Sequence, residues 1–210
     1  MTILLTGARG ELGRIVHQYL IDNGVEVVGA DRDVVDLSSD EDCRRFVSAS
    51  AGRITGVVHL VGGILAGEPI FSTPASDVEY MMLVNFTTTF NVLRAAMPLL
   101  IANGGGSIIT IGAKAVLQPT ARRAAYAASK AAVVSLTLSA AEEGRVHGVR
   151  ANCIVPDVIR TPANMTWGTE EEIRSWVHPE EIAEAIYELL QPRSAISGTV
   201  IPLLQSSRRQ

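Results

Sequence analysis

The hydrophobic positions of this sequence fall into six short apolar runs that are rich in β-branched residues. The runs cover Thr2–Thr6, 25–30, 54–61, 107–111, 151–155 and Thr199–Leu203. A strand with one face in solvent alternates polar and apolar residues, whereas a strand covered on both faces reads as a continuous apolar run. The pattern therefore predicts a parallel sheet with helices packed on both of its faces.

Segments with the period of an α-helix separate most of these runs. They cover 11–23, 39–51, 76–103, 126–145 and Pro179–Leu190. The first helix is expected to end at Asn23-Gly24, and Pro98 to kink or divide the long third segment. Strands that alternate with helices along a whole chain are typical of the doubly wound α/β fold. We expect a single-domain Rossmann-type α/β protein over residues 1–210.

Residues 156–178 form the one long stretch in which the sequence predicts neither strand nor helix. A loop of this length in a compact domain is usually functional. We expect it to be a lid over a substrate pocket. Its Met165, Trp167 and Trp176 are compatible with an apolar or aromatic ligand, and equally with packing of the lid on itself.

Composition limits the class of protein. The 210 residues are 47% hydrophobic and 19% charged, which is ordinary for a globular domain. The formal net charge of −4 argues against a nucleic-acid-binding surface, and we expect no membrane span. Cys43 and Cys153 are far apart, so no metal site is expected. The chain does not open with a basic and then apolar segment, which predicts a cytoplasmic protein with free thiols.

A glycine-rich segment joins the first predicted strand to the first helix. It reads Thr6-Gly7-Ala8-Arg9-Gly10-Glu11-Leu12-Gly13. The first glycine permits a tight turn, the second lets the backbone approach a pyrophosphate, and the third lets helix and strand pack closely. The helix N-terminus would face the anion. Glycines end strands in many folds, but the order strand, turn, helix indicates a dinucleotide site.

The second predicted strand ends at Asp31, 18 residues after Gly13. A carboxylate near this spacing typically binds the adenosine ribose and repels a 2′-phosphate, which favours NAD over NADP. The neighbouring Arg32 weakens that inference, because an arginine there can accept the phosphate. The alternative is that Asp31 is only a turn residue at a strand end.

Tyr126 and Lys130 lie four residues apart in a predicted helix and therefore share one face. An ammonium near a phenol stabilises the phenolate and lowers the tyrosine pKa from its ordinary value of about 10. Such a tyrosine can protonate a carbonyl or deprotonate an alcohol near neutral pH. The spacing occurs by chance in many helices, so its place after a nucleotide-binding start is what indicates catalysis.

Together these features resemble the short-chain dehydrogenase/reductase family, from Thr2 to about Leu203. Beyond the glycine motif, the matching residues are Asp31, Asp36-Leu37, Asn85, Tyr126, Lys130 and 150–156 leading to Thr161. The resemblance implies a Rossmann fold, a nicotinamide cofactor with NAD(H) favoured over NADP(H), and hydride transfer to or from a small molecule. It also implies a homodimer or homotetramer built on the helices of 76–103 and 126–145. The second of these has small-residue faces at Ala131-Ala132 and Ala140-Ala141, and core packing must explain much of them.

The resemblance further implies a role for each matched position. Tyr126 would be the proton donor or acceptor, Lys130 would hold the nicotinamide ribose and lower the pKa of that tyrosine, and Asn85 would support a water that relays protons to Lys130. The cofactor would also contact Thr6, Gly7, Arg9, Gly10, Leu12, Gly13, Asp31, Arg32, Asp36, Leu37, Val61, Gly62, Pro156, Ile159 and Thr161.

The sequence departs from the family pattern at the reacting end. The family usually has a serine thirteen residues before the tyrosine, and this chain has Ala113 there. A lost oxyanion donor typically raises a barrier by roughly 3–4 kcal/mol. Thr110 and Lys114 are nearby polar candidates to replace it. Asp157 stands where the family has glycine after Pro156, which could restrict the nicotinamide loop.

Two further departures concern the loops. The turn after the family's fourth strand is Leu60-Val61-Gly62-Gly63, preceded by His59, which we expect to be a packed strand residue. Few residues follow Asp31 before the next apolar positions, so the helix that normally joins the family's second and third strands is expected to be deleted.

Two functions remain open at this point. The short chain and 112–115 resemble the dihydropteridine-reductase branch, which lacks the serine and reduces a quinonoid ring, although Asn85 matches the ordinary branch. The first hypothesis is an NAD(P)-dependent oxidoreductase acting on a small carbonyl, alcohol or quinonoid ring. The second is a non-catalytic NAD(P)-binding sensor or regulator, which the missing serine favours.

Overall fold

The structure is a computed structural model, and it describes residues 1–50 and 54–204. The strands are β1 (Thr2–Thr6), β2 (Glu26–Ala30), β3 (Gly56–His59), β4 (Gly106–Ile111), β5 (Val149–Pro156) and β6 (Thr199–Leu203). They form one parallel sheet in the order β2-β1-β3-β4-β5-β6. The predicted single-domain α/β fold is therefore confirmed.

Helices connect the strands and cover both faces of the sheet. They are α1 (Glu11–Asp22), α2 (Asp40–Ala49), α3 (Ala75–Met81), α4 (Thr88–Ala102), α5 (Ala124–Gly144), α6 (Pro162–Met165), α7 (Glu170–Ser175) and α8 (Pro179–Leu190). Ser39 caps α2 by accepting the Asp42 backbone N–H at 3.2 Å. The last residue of the predicted 39–51 helix lies outside the described residues.

The continuous apolar runs are explained by two separate cores. Neighbouring residues of one strand, such as Ile3 and Leu4, point to opposite faces of the sheet. On one face Leu4 and its counterparts pack against α2, α4 and α5, with Val57, Ile108, Ala151, Val92 and Ala140. On the other face Ile3 and its counterparts pack against α1 and α8, with Val58, Ile109, Ile154, Val16 and Ile186.

The 76–103 segment is interrupted, but not at the proline. A π-helical turn, Met82–Thr87, separates α3 from α4, and α4 continues through Pro98. The expectation that this segment could be two helices is confirmed, but the division does not fall at Pro98. Single π-turns inside helices occur frequently at functional sites. This one carries Asn85.

Three loop predictions need correction or qualification. Residues 156–178 contain α6, α7 and a parallel bridge between Ile159 and Val177, so they are not structureless. The longer irregular stretch is 60–74, which has only a short 3₁₀ turn. No helix lies between β2 and α2, as predicted, and the backbone there turns when Val34 and Val35 donate to the Asp31 carbonyl.

One helix within the described residues, Ala124–His147, is long and apolar enough to cross a membrane by length and composition alone. In the fold it packs against the sheet, with Val133, Thr137 and Ala141 buried. Its apolar character thus has a structural explanation inside the domain. Ala140 and Ala141 belong to the core, as expected from core packing, whereas Ala131 on the same helix is exposed.

Candidate active site at the carboxyl edge of the sheet

The glycine-rich segment forms a tight turn from β1 into α1. Gly7 has a left-handed φ of +72°, and its N–H donates to the Ala30 carbonyl of β2. A Cβ on Gly13 would lie 1.9 Å from the Gly7 carbonyl oxygen, so only glycine fits there. Gly10 begins α1 without a side-chain cap, which leaves the first backbone N–H groups of the helix available to an anion.

A cluster of charged side chains lies where β2 ends. Asp31 is mostly buried, and its Oδ1 accepts the Arg9 backbone N–H at 3.0 Å. The Arg9 guanidinium lies 4.0 Å from Asp31 and pairs with Asp33. Asp31 is therefore tied to the glycine turn and is more than a turn residue at a strand end.

Asp36 is held in a local turn. Its Oδ1 accepts the Ser38 hydroxyl at 2.6 Å and the Ser38 backbone N–H at 2.9 Å, and these hydrogen bonds lower the pKa of the carboxyl. The next residue, Leu37, is fixed through its carbonyl by Asn91 of α4. This segment forms one wall of a cleft at the carboxyl edge of β1, β2 and β3.

The cleft has a volume of about 860 Å³. It is lined by nine of the predicted cofactor contacts: Gly7, Arg9, Gly10, Asp31, Arg32, Asp36, Leu37, Val61 and Gly62. Sequence reasoning missed Tyr80, Leu83, Val84 and Thr88, which close the cleft from the α3–α4 side. Thr6 and Gly13 lie beneath it, buried. Leu12 is half-buried in α1 and packs into the core of that face.

Asn85 is fully buried and joins three elements. Its Oδ1 accepts the Gly63 N–H at 2.9 Å, and its Nδ2 donates to the Gly63 carbonyl and to the Ser129 hydroxyl, both at 3.0 Å. Ser129 in turn donates to the Tyr126 carbonyl at 2.8 Å. The π-turn therefore holds the glycine turn after β3 against the helix that carries Tyr126. No pattern in the sequence singled out Ser129.

Lys130 reaches from α5 to the floor of the same glycine turn. Its Nζ donates to the Ile111 carbonyl at the end of β4, at 2.9 Å, and a Cβ on Gly62 would lie 2.9 Å from that amine. The residue is only 6% exposed, and burial lowers the pKa of its amine to about 8. The amine therefore lies at the border of the cleft.

The environment of Tyr126 differs from the expectation for its pKa. Tyr126 is partly buried against Met81, Val84 and Ala125, and this burial raises the pKa of its phenol, with a smaller opposing effect from Arg123. Burial of the phenol therefore decides the direction of its pKa, while the Lys130 amine donates to the Ile111 carbonyl. The prediction that Lys130 lowers the Tyr126 pKa does not hold for the chain alone.

His59 is a packed residue, as expected. Its Nδ1 lies 2.8 Å from the Thr6 hydroxyl, and its Nε2 lies 3.4 Å from that of Thr88. Complete burial, with a smaller effect from Lys130, lowers the pKa of the imidazole to about 3. The neutral ring links β1, β3 and α4 beneath the cleft.

The reacting end contains an ion pair that the sequence did not reveal. Ala113 is buried and offers no hydroxyl. The next residue, Lys114, donates to Asp157 Oδ2 at 2.6 Å. Thr110, the other candidate for the missing donor, is fully buried with its hydroxyl 2.6 Å from that of Thr137. One departure from the family pattern, Asp157, is therefore paired with Lys114, the residue that follows the other departure, Ala113.

The segment after β5 is ordered by local hydrogen bonds. Thr161 caps α6 by accepting the Asn164 N–H, and Glu11 of α1 accepts the Ala163 N–H at 3.2 Å. Trp167 and Trp176 pack on each other with ring centroids 4.7 Å apart, which accounts for both aromatic residues by packing. Pro156 and Ile159 precede this segment, at the end of β5 and in the bridge to Val177.

The geometry fits a dinucleotide by the space that its glycines leave open. A side chain at Gly62 would meet Asn85 Oδ1 at 2.7 Å, and one at Gly7 would meet Val61 at 3.2 Å. The uncapped start of α1 offers backbone donors to phosphates, and Asp31 offers an acceptor to a ribose hydroxyl. Within the described residues no group of three or more His, Cys, Asp or Glu side chains could hold a metal ion.

Comparison with known proteins agrees with this architecture. A family model described as short chain dehydrogenase matches residues 1–172. An uncharacterized oxidoreductase of Staphylococcus epidermidis is 32% identical over 193 residues, which cover 91% of this chain and 81% of that protein. An NAD+-bound xylitol dehydrogenase has the same fold, with a TM-score of 0.88, 22% identity and 98% of each chain covered. So has ElxO with NADP bound, with a TM-score of 0.88, 20% identity and 96% of each chain covered.

Proposed function

Because the chain belongs to the short chain dehydrogenase family, and is thus an NAD(P)-dependent oxidoreductase, we propose that it moves a hydride between the nicotinamide and a small carbonyl, alcohol or quinonoid ring. The observation that carries the proposal is the position of Lys130. Its amine lies 2.9 Å from where a Gly62 Cβ would be, so the helix of Tyr126 meets the cleft at the glycine turn.

The chain's residues would divide the work between holding the cofactor and moving a proton. A bound dinucleotide supplies the hydride chemistry, and the protein positions it. The start of α1 would bind the pyrophosphate, Asp31 the adenosine ribose, Lys130 the nicotinamide ribose, and the segment from Pro156 to Thr161 the carboxamide. Asn85 would position Gly63 and Ser129, and support a water on the proton path to Lys130.

Tyr126 would act as the acid in reduction and the base in oxidation. The raised pKa of its phenol keeps the proton in place at neutral pH, which suits donation to a substrate oxygen. Oxidation of an alcohol requires the phenolate and is therefore expected to need more alkaline conditions. This asymmetry supports reduction as the favoured direction for the chain.

We infer a preference for NAD(H) over NADP(H). Asp31 is mostly buried and held by the glycine turn, so its carboxylate is fixed where a 2′-phosphate would be repelled. Arg9, the nearest competing cation, is already paired with Asp33. Arg32 lines the same cleft and is the residue that could moderate the preference.

A non-catalytic NAD(P) sensor is the second candidate, and Ala113 is the observation that favours it. Without a hydroxyl at that position the site lacks one preorganised donor for a substrate oxygen. The dinucleotide cleft serves a sensor as well as it serves an enzyme. The two candidates differ only in whether turnover follows binding.

The test is to titrate NADH and NADPH by fluorescence and then to assay ketones, alcohols and a quinonoid dihydropterin. We expect binding and turnover, and we expect Tyr126→Phe to lower turnover about 1,000-fold without changing NADH affinity. Tyr187→Phe is the matched control, because Tyr187 packs against Tyr19 on a core helix. Binding without turnover on any compound would favour the sensor, and no binding of either nucleotide would refute both candidates.

We also propose a homodimer or homotetramer, a cytoplasmic location and a substrate lid at 156–178. Exposed apolar side chains on the two long helix segments, including Leu83, Phe90 and Leu138, support a subunit interface there. Light scattering that gave only the monomer mass would contradict it. The buried free thiols of Cys43 and Cys153 support a reducing compartment, which fractionation of the cells would test.

A further inference from the structure

Lysine is rare in this chain, and both of its lysines lie at one place. The 18 basic residues are 16 arginines and two lysines, Lys114 and Lys130. Lys130 is bonded to the carbonyl of Ile111, the last residue of β4, and Lys114 follows that residue by three positions. The end of β4 thus accepts a hydrogen bond from one lysine and leads along the chain to the other. Only one of them, Lys130, has a role in the proposed function.

The amine of Lys114 is held by a buried carboxylate. The Asp157 side chain is only 8% exposed, and its Oδ2 lies 2.6 Å from Lys114 Nζ. Its Oδ1 accepts the Val158 N–H at 2.9 Å, and its own N–H donates to the Leu203 carbonyl at 2.9 Å. Because both the carboxylate and its backbone are anchored, the ammonium is fixed between the ends of β4 and β5.

Lys114 keeps donors available after this pairing. An ammonium has three N–H groups, and the structure gives it one acceptor, Asp157. Its side chain is 33% exposed, so the amine of this residue next to Ala113 is accessible to a ligand. Thr110 cannot do the same, because its hydroxyl is buried against Thr137, which donates to the Val133 carbonyl.

We propose that Lys114, held in place by Asp157, donates the hydrogen bond that stabilises the substrate oxygen during reduction, in place of a hydroxyl at position 113. The inference rests on the proposed function. The hydride forms a bond to the carbonyl carbon, the C=O π electrons move to oxygen, and the Tyr126 proton neutralises that oxygen. Lys114 transfers nothing and acts through its charge while the oxygen is negative. Asp157 is a positioning residue.

On this proposal the two departures from the family pattern at the reaction end act together. Ala113 removes a neutral donor, and Asp157 supplies the carboxylate that fixes a charged donor on the adjacent residue. A charged donor polarises an oxygen more strongly than a hydroxyl does. We therefore expect the site to favour carbonyl substrates whose oxygen takes the full negative charge when the hydride reaches the carbonyl carbon, over substrates in which conjugation spreads that charge away from the oxygen.

The first experiment measures the charge at the site without turnover. Sulfite adds through sulfur to carbon 4 of protein-bound NAD+, forming an anionic dihydronicotinamide adduct that absorbs light. We expect Lys114→Met to weaken adduct formation at least about tenfold without changing NAD+ affinity, because a charged hydrogen bond is lost. Lys114→Arg should retain the adduct. Arg145→Met is the matched control, because it removes an exposed cation paired with Glu142 at the far end of α5.

The second experiment uses the fact that there are only two lysines. Protein labelled with ¹⁵N at the lysine amines should give two side-chain signals, assigned with Lys114→Arg, and sulfite added to the NAD+ complex should shift that of Lys114. In turnover assays Lys114→Met should lower kcat about 100-fold, and adding Ala113→Ser to it should restore part of the loss. Asp157→Asn should lie between Lys114→Met and the unaltered chain.

The outcomes separate the inference from the function on which it rests. Equal adduct affinity in Lys114→Met and the unaltered chain would overturn the role of Lys114, as would NAD+ binding with no adduct in either. Turnover that survives Lys114→Met but is lost in Tyr126→Phe would overturn it as well, while leaving the oxidoreductase in place. A chain that binds no NAD+ would overturn the proposed function itself, and the inference with it.

Discussion

The two ends of the cleft are built in different ways. The dinucleotide end, at β1 and β2, consists of the glycine turn and the acidic side chains Asp31, Asp33 and Asp36. The reaction end, at β4 and β5, consists of both lysines of the chain, with Tyr126 between them in sequence. The dinucleotide end would hold its ligand through the backbone shape of the glycine turn and through acidic side chains. The reaction end would act through side chains, the amines among them, that come from distant segments of the chain.

This contrast shows at which end of the cleft the chain keeps to the family pattern and at which end it departs from it. A turn that only glycine can form tolerates no side chain, as the 1.9 Å contact at Gly13 shows. A hydrogen-bond donor can be moved from one residue to the next if a carboxylate is supplied to hold it. The dinucleotide end therefore follows the family, whereas the reaction end departs from it at Ala113 and Asp157.

We expect the greatest loss of NADH affinity from a substitution beside the glycine turn of the dinucleotide end. In Gly13→Ala the new Cβ would overlap the Gly7 carbonyl oxygen and push α1 away from the turn. A displacement of about 1 Å at a binding element can reduce function about 100-fold, and we expect NADH affinity to fall by that order. Gly29→Ala is the control, since its Cβ would make an ordinary contact at 3.5 Å. Fluorescence titration checks both, and unchanged affinity in Gly13→Ala would contradict the fit.

A smaller change in nucleotide affinity is expected when a carboxylate of the dinucleotide end is removed. Asp31→Ser removes the carboxylate that would bind the adenosine ribose, so the ratio of NADH to NADPH affinity should fall about 10- to 100-fold. Asp22→Ser is a suitable control, because Asp22 lies at the far end of α1, where its exposed carboxylate accepts a hydrogen bond from Gln18. Titration with both nucleotides measures the ratio. A ratio equal to that of the unaltered chain would show that Asp31 does not set the preference.

The smallest effect concerns His59, which lies beneath the cleft between the two ends. Its folded pKa of about 3 is below its unfolded pKa of about 6.5, so the unfolded chain binds more protons as the pH falls. Stability should therefore be lost as the pH falls from about 6.5 toward 3, by about 1–2 kcal/mol between pH 7 and pH 5. Urea unfolding at the two pH values measures it.

The loss should largely disappear in His59→Gln and persist in the control His147→Gln, because His147 is exposed. Comparing the free energy of unfolding of each variant with that of the unaltered chain at pH 7 separates the effect of lost packing from the effect of titration. An identical pH dependence in His59→Gln and the unaltered chain would mean that another group is responsible.

Much of the fold could be read from the sequence, because buried strands and capped helices leave local signals. The six apolar runs became the six strands, and α8 has the predicted ends. The third strand was predicted four residues too long, two at each end, and Leu60 and Val61 leave the sheet to line the cleft. Helix α7 was missed although Thr169 and Glu172 form a capping box whose residues are visible in the sequence.

Other features could not be predicted, because they depend on contacts between distant residues. A π-turn has the same apolar pattern as an α-helix, so nothing in 82–87 distinguishes it. The pairing of Lys114 with Asp157 joins two loops that only the sheet brings together. The pKa of Tyr126 was predicted in the wrong direction, because the spacing to Lys130 does not reveal how deeply the phenol is buried against Met81 and Val84.

The proposed function requires the reactive ring of the dinucleotide to lie beside the phenol and amine of α5. A crystal structure of the NADH complex tests it most directly. We expect the pyrophosphate to bind at the start of α1, the nicotinamide ribose to bind the Lys130 amine, and the ring to face the Tyr126 hydroxyl. A nicotinamide bound elsewhere, or a Tyr126 hydroxyl directed away from the ring, would contradict it.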